Sequence, residues 1–497
     1  MTNIRRSRMV LLLAFTLVGN SMAAAQNEAP AQSGVPSGTG DVTEHNVTFS
    51  KDIAPLMYRA CSQCHHPGQA APFSLLSYED ARKRAKQLAD VTAKKIMPPW
   101  LPMPTEHPFM DRRVLSPLEI DMFQRWSELG APEGDPTQTP PPPVFTSEWK
   151  LGEPDLVLEM PEDFEIYAEG DDIYHNFVLP VSIPDGKFLK ALEFRPSNRA
   201  VVHHALICLD SSGFGRRSDA RTKEQGFPGM RAGYQMQFLL PYALGSFPRP
   251  FPDGVTVPVP PNSDLVMLMH FHPTGKPEKE RSRLGLYLTD TPPTRFMTEI
   301  PIPFAFGLNS GMDIPAGEKH YVLKESFTIP AEVEVVGYVP HAHSLCFDMK
   351  ARAYLPDGKL MDLLWIPHWD FNWQEQYRYE TPLHLPANTR IEIEYTYDNS
   401  ADNPTNPNNP PKRMKWGHNT TDEMIHLGVQ VMPVRNEDLA LIEEAKAIDR
   451  EPVIRMFRLR RYAIFGGIGL AVLAIFLAIV WSIRRIRRPK TRPLQPD

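Results

Sequence analysis

Cysteine is scarce. The 497 residues contain four, Cys61, Cys64, Cys208 and Cys346, too few for a disulfide framework to staple the fold. Strong charge of one sign is lacking too. Fifty-three Lys and Arg against 59 Asp and Glu leave a net charge of −6, which gives nucleic acid no basic surface to hold. Uninterrupted helix is excluded from the middle of the chain by what is abundant instead. The 52 prolines are roughly twice the usual share of about 5%, and they favour turns and loop-rich β domains. The rest of the composition, 42% hydrophobic and 23% charged, is that of a folded protein of about three domains.

The two ends carry opposite signals. Arg5, Arg6 and Arg8 precede an apolar run over 9–18, and Ala23, Ala24 and Ala25 offer a small-residue cleavage site. Residues 1–25 therefore read as a signal peptide, with a run too short to span a bilayer. Residues 462–483 hold no charged side chain and are long enough to cross. Four arginines precede them (Arg455, Arg458, Arg460, Arg461) and six cations follow, Arg484 to Arg492. The heavier positive side belongs in the cytoplasm. The expectation is a single-pass protein of the cytoplasmic membrane, with a juxtamembrane segment over 436–461, one C-terminal transmembrane helix and a basic cytoplasmic tail over 484–497. The main body would lie on the periplasmic side.

Cys61-Ser62-Gln63-Cys64-His65 is the attachment pattern for c-type haem: two thiols for the vinyl groups, then an imidazole for the iron. A thioredoxin-type redox pair would need a βαβ context, and a zinc site two further ligands nearby; neither is present. Helix-compatible stretches over 78–95 and 117–129, the latter capped by Ser116 with Pro117 at its first position, complete an expected small all-α cytochrome c-like domain over 45–135. Met97, in the loop Lys95-Ile96-Met97-Pro98-Pro99-Trp100, is the expected sixth ligand. Met103 is a rival, and His66 and His107 are further alternatives. Pro140 to Pro143 mark a stiff linker over 136–148.

Beyond the linker the text changes to short apolar runs cut by Pro, Gly and Asn, at 155–160, 177–183, 200–209, 265–271 and 284–288. A second set lies at 321–329, 333–339, 346–355, 390–397 and 424–431. This spacing predicts two antiparallel β-sandwiches, jelly-roll-like, over 149–295 and 296–435.

The metal-type ligands fall in these two regions: His203 and His204, His270 and His272, His341 and His343, and Met424. Residues i and i+2 of a strand face the same way, so His341 and His343 can share one metal. Adjacent His203 and His204 can do so only at a twist, a bulge or a strand end. A thioether beside imidazoles selects copper over zinc or magnesium. His272 is read as a partner of the ligands, and His368, His418 and His426 as core or surface histidines. The stretch 368–373 reads as sandwich core, and Cys208 and Cys346 as two separate buried thiols.

Val202-His203-His204-Ala205, Met269-His270-Phe271, Pro340-His341-Ala342-His343 and Asp422-Glu423-Met424, in this order and spacing, resemble the copper type II, ascorbate-dependent monooxygenases. That family includes the peptidylglycine α-hydroxylating and dopamine β-monooxygenases. The resemblance runs from about residue 151 to 433. It implies two copper ions. His203, His204 and His270 would hold the electron-transfer copper, and His341, His343 and Met424 the catalytic one. It implies hydroxylation of a substrate C–H bond with O2, and the N-terminal haem c would be an inlet for electrons from a periplasmic or membrane donor. Where the peptide-amidating enzyme has an Arg before the His-x-His and an Asn and a Tyr after the Met, this chain has Val339, His426 and Gly428. That argues against a carboxylate clamp and against a peptidylglycine substrate. The expected function is an exported, membrane-anchored monooxygenase of a small organic substrate. The alternative is a non-enzymatic copper-binding or electron-transfer protein on the same scaffold.

Overall fold

Runs of Val, Ile, Leu, Tyr and Phe between Pro, Gly and Asn become short antiparallel strands in the computed structural model. It describes residues 46–459 apart from Ala70, Thr146, 231–235, Leu244 and Phe457, together with 477–479. The chain is mainly β, with 33% strand against 19% helix. The described residues from Val47 onward belong to one compact unit.

The first ten strands are β1 (Leu156–Glu159), β2 (Phe164–Ile166), β3 (Ile173–Pro180), β4 (Phe188–Arg195), β5 (Val202–Asp210), β6 (Phe227–Pro228), β7 (Gln237–Ala243), β8 (Asp264–Phe271), β9 (Glu278–Glu280) and β10 (Arg283–Thr289). A five-stranded sheet in the order β6-β3-β8-β5-β7 lies over a three-stranded sheet, β1-β10-β4. Phe177, Ile207, Leu265, Met267, Leu284 and Leu286 fill the space between them. Strand β8 is buried along its whole length, as expected of the central strand of a covered sheet.

The next ten are β11 (Thr298–Ile302), β12 (Asp313–Ile314), β13 (Tyr321–Thr328), β14 (Val333–His341), β15 (Cys346–Tyr354), β16 (Leu360–Ile366), β17 (Tyr377–Leu385), β18 (Arg390–Tyr397), β19 (Met414–Lys415) and β20 (His426–Pro433). Sheets β11-β20-β14-β17 and β13-β18-β15-β16 close on a core of Ile300, Val335, Tyr338, Ala351, Ile393 and Val429. Strand β14 carries an irregularity between Val335 and Gly337. There a Cβ on Gly337 would lie 2.3 Å from the Tyr377 carbonyl oxygen, so only glycine lets the strands approach so closely.

The expected fold class is corrected at both ends. Four short helices, α1 (Ala54–Ala60), α2 (Tyr78–Arg82), α3 (Ala85–Ala93) and α4 (Pro117–Glu128), gather around Phe123 and Trp126. They do not make the small all-α cytochrome c-like domain expected over 45–135. The loop meant to close over a haem is used elsewhere. The Met103 amide bonds the Trp365 carbonyl and the Met110 amide the Arg378 carbonyl. Phe109 is buried in the second β core, stacked on Tyr379 at 4.7 Å. Met97 is left on the surface, 40% exposed.

At the other end, no helix among the described residues is long and apolar enough to cross a membrane. The expected span at 462–483 falls almost wholly outside the described residues, so the single-pass anchor and the address built on it have no support. The expected signal peptide over 1–25 also lies outside the described residues.

Candidate metal centre

Strands β5 and β8 are neighbours, and their register shifts between Val202 and His204. This irregularity turns both adjacent histidines toward one point, which regular strand alternation forbids. His204 lies opposite His270. The His203 and His204 Nδ1 atoms are 3.0 Å apart and those of His270 and His204 3.5 Å. Among the described residues, these three form the group of imidazole, thiol or carboxylate donors that closes within 4.8 Å.

The rings are held from behind. Tyr174 stacks on His270 with centroids 4.3 Å apart and planes 13° off parallel. Asp172 lies 3.4 Å from His270 Nε2 and 2.7 Å from His272 Nδ1, and it accepts the Thr420 amide at 2.7 Å. His270 Nε2 makes no hydrogen bond, and Asp172 is its charged neighbour at 3.4 Å. An Nε2 proton facing that carboxylate leaves the Nδ1 lone pair facing the cluster. Burial raises the Asp172 carboxyl, but the two histidines outweigh it and hold it well below the usual range. Asp172 has no signature in the sequence. Only its place three residues before buried β-strand text could have drawn notice.

Strand β14 ends at His341, and His343 follows in the connection to β15. Their rings sit 5.3 Å apart at 86°. Each Nδ1 is occupied, by Gln374 Oε1 at 2.6 Å for His341 and by the Asp422 carbonyl at 3.1 Å for His343, so each Nε2 is free to bind. Met424 is buried just before β20. Glu423 ties these pieces together. Its carboxyl accepts the backbone amides of His343, Leu345 (2.9 Å) and Met424 (2.8 Å), and burial pushes it up to about 7 against those hydrogen bonds.

The two groups form one continuous cluster. The His204 ring lies 5.5 Å from that of His341. Phe371 stacks on His203 at 4.4 Å and meets His343 edge-on at 5.5 Å. The stretch 368–373, read from sequence as core, thus divides: Trp369 is core, while Phe371 walls the cluster. Burial, then neighbouring imidazoles, push His203 down to about 3. His204 and His343 lie well below the usual value for the same reasons, and burial takes His341 to about 4. These imidazoles are neutral at neutral pH, as ligation requires.

A cavity of about 500 Å³ opens on the cluster, lined by His204, His341, Met424, Tyr174, Phe306 and Met236 among others. His426 also borders it and packs on Phe306 at 4.3 Å. Imidazoles with a nearby thioether suit copper, and the histidine lone pairs converge as a bound ion would need. His272 is 55% exposed and reaches the cluster only through Asp172. Cys208 and Cys346 are separate buried thiols.

The residues expected to serve a haem are placed as follows. Cys61 caps the seven-residue α1, and neither it nor Cys64 is in a disulfide. His65 packs on Phe73 at 4.6 Å and engages its carbonyl through Nδ1 at 3.1 Å, the arrangement that frees Nε2 at His341 and His343. Met97 is 40% exposed, with its amide bonded to the Val91 carbonyl at the end of α3.

No family profile matches the chain, and no curated protein does. Among solved structures it is similar to PNGF-II in its P21 crystal form, at 9% identity and a TM-score of 0.28 over 56% of this chain. The C2 form of PNGF-II gives a TM-score of 0.27 at 9% identity, covering 56% of this chain and 64% of that one. The VP2 subviral particle of infectious bursal disease virus gives 0.16, again at 9% identity, covering 56% of this chain and 72% of that one. The chain spans 65% of the first of these.

Proposed function

We propose that this chain is a copper-dependent monooxygenase that hydroxylates a C–H bond of a small organic substrate with O2 and an external electron donor. The observation that carries this reading is the run of five neutral, mostly buried histidines opening, beside Met424, onto a cavity large enough for a small molecule. His203, His204 and His270 would hold one copper ion; His341, His343 and Met424 would hold the other. Copper in such a donor set supplies one-electron chemistry between Cu(I) and Cu(II), which a mixed imidazole and thioether site tolerates.

The rest of the work falls to the protein. Asp172, Gln374 and the Asp422 carbonyl face ring nitrogens and Glu423 holds the backbone of His343, Leu345 and Met424, so the ligand atoms are set before a metal arrives. Phe304, Phe306, Met230 and Met236 give the cavity an apolar wall that excludes water around the reacting bond.

The test uses the full-length protein with copper restored and a chemical reductant, screened against small organic compounds for oxygen uptake coupled to a hydroxylated product. Met424→Ile should abolish that uptake while copper stays at the His203 triad. Two bound copper ions with no substrate-dependent uptake, or turnover surviving Met424→Ile, would favour copper storage or electron transfer instead.

A further inference from the structure

Among the described residues none before Tyr174 lines the cavity, yet a loop from the N-terminal region is pinned to a connection that touches both histidine groups. That connection, residues 367–376, joins β16 to β17. On one side it presents Phe371, stacked on His203 and edge-on to His343, and Gln374, whose Oε1 accepts from His341 Nδ1 at 2.6 Å. Gln374 Nε2 donates to the Phe371 carbonyl at 2.9 Å, which ties the two together. On the other side are Trp373 and Glu375, and both meet Arg113. The Arg113 guanidinium is paired to Glu375 and lies over the rings of Phe247, Trp100 and Trp373 at 4.6, 5.7 and 5.8 Å. Trp373 has no room to retreat, because a Cβ on Gly245 would lie 2.0 Å from its Cη2. The same loop holds both flanks of the connection. The Met103 amide donates to the Trp365 carbonyl at 2.8 Å before it, and the Pro108 carbonyl accepts from the Glu380 amide at 3.0 Å after it.

We infer that Arg113 is a positioning residue for the metal site of His341, His343 and Met424. Through Glu375 it holds Gln374 against His341 and Phe371 against His343, so the N-terminal region sets the geometry of a site it does not touch. This inference rests on reading those three ligands as one copper site. Glu375 is 1% exposed, and burial raises its carboxyl against the pull of Arg113. Without the guanidinium a buried charge is left unpaired, and the carboxyl turns away and takes its chain neighbour Gln374 with it. Stability does not account for the pair. Arg113 Nε and Nη1 are buried without partners, and a half-satisfied buried pair adds little to folding. What the pair supplies is place. A flat guanidinium can lie over three rings and still bond a carboxylate, which a lysine ammonium does less well.

A double-mutant cycle on the full-length protein tests this, with chelator competition for Cu(I) at the Met424 site as the measurement. Gln374→Leu removes the direct partner of a ligand ring and should weaken that site about 10- to 100-fold. Arg113→Met acts one step further out and should weaken it about 3- to 30-fold, on the lower side of the same range. In the Gln374→Leu background Arg113→Met should add less than about twofold, because the two residues act in one chain. Arg113→Lys keeps the charge and should recover part of the loss. If Arg113→Met does not fold, Arg113→Lys with and without Gln374→Leu carries the same comparison. Losses that add, or an Arg113→Met site as tight as that of the wild type, overturn the inference. Nitrogen NMR of histidine-labelled, copper-free protein is the second readout. His341 should carry its proton on Nδ1 in the wild type and on a mixture of both nitrogens in Arg113→Met; an unchanged proton there also overturns it. This readout does not depend on copper. A wild-type protein that leaves the Met424 site without copper but shows the tautomer shift sinks the copper reading and keeps Arg113 as the residue that orients His341. Copper bound there with no shift does the reverse.

Discussion

Replacing Asp172 by Asn separates positioning from ligation at the first histidine group. The amide has the same shape and can still accept the Thr420 amide, now at 2.7 Å, but it no longer offers a charge to His270 at 3.4 Å or to His272 at 2.7 Å. Losing such a partner of a metal-bound imidazole costs about 10- to 100-fold in metal affinity, or about 1.4–2.8 kcal/mol. His272 is raised by its Asp172 hydrogen bond, then lowered less by burial, so its titration in the variant should fall back toward the ordinary value. Chelator competition for Cu(I), read site by site, is the assay. Asp172→Asn should weaken the copper held by His203, His204 and His270 and spare the one held by His341, His343 and Met424. His272→Ala, which removes a half-exposed ring, should change neither by more than about threefold, the scale of a solvent-screened pair. Equal loss at both sites, or none at either, would refute the tautomer argument.

Two other outcomes follow from the fold. Burial holds His426 at about 3, well below the usual 6.5, so as pH falls below 6.5 the unfolded chain takes a proton that the folded one refuses. Its contribution to stability is therefore intact above 6.5 and is lost downward toward pH 3. Between 6.5 and 5 this amounts to at most about 2 kcal/mol. Urea unfolding of copper-free protein should show the wild-type minus His426→Gln difference shrinking by that order, and a constant difference would contradict a neutral buried ring. Gly337→Ala drives a methyl into the Tyr377 carbonyl and should cost about 1–3 kcal/mol or more, seen as a lower urea midpoint at unchanged m-value; an unchanged midpoint would mean that the strands can part freely.

What the sequence makes legible follows from the range of the forces involved. Alternation of apolar residues is local, so the strand text from residue 155 on can be read directly, and the His-x-His spacing of His341 and His343 needs only strand geometry. The His203–His204 pair is legible as a condition, because a register shift is the one way both can face a single point, and the shift lies there. Asp172, Gln374 and Phe371 are not legible. Each reaches the cluster across tens to more than a hundred residues of chain, and no local pattern marks a carboxylate or a glutamine for that purpose. The N-terminal reading failed for a related reason. A Cys-x-x-Cys-His segment is a local signal, whereas where the Met97 loop goes depends on the burial of Phe109 in a core built mostly from residues after 299.

That insertion has a consequence for anyone who cuts the chain. With Phe109 inside the second β core, Arg113 paired to buried Glu375, and Asp111 paired to Arg249 at 2.7 Å, the first hundred described residues are a wedge of the sandwich more than a bead tied to it. Proteolytic nicking in the proline-rich stretch should leave two fragments that copurify. Expression of residues 149–435 alone should yield a protein with a hole where an aromatic ring belongs.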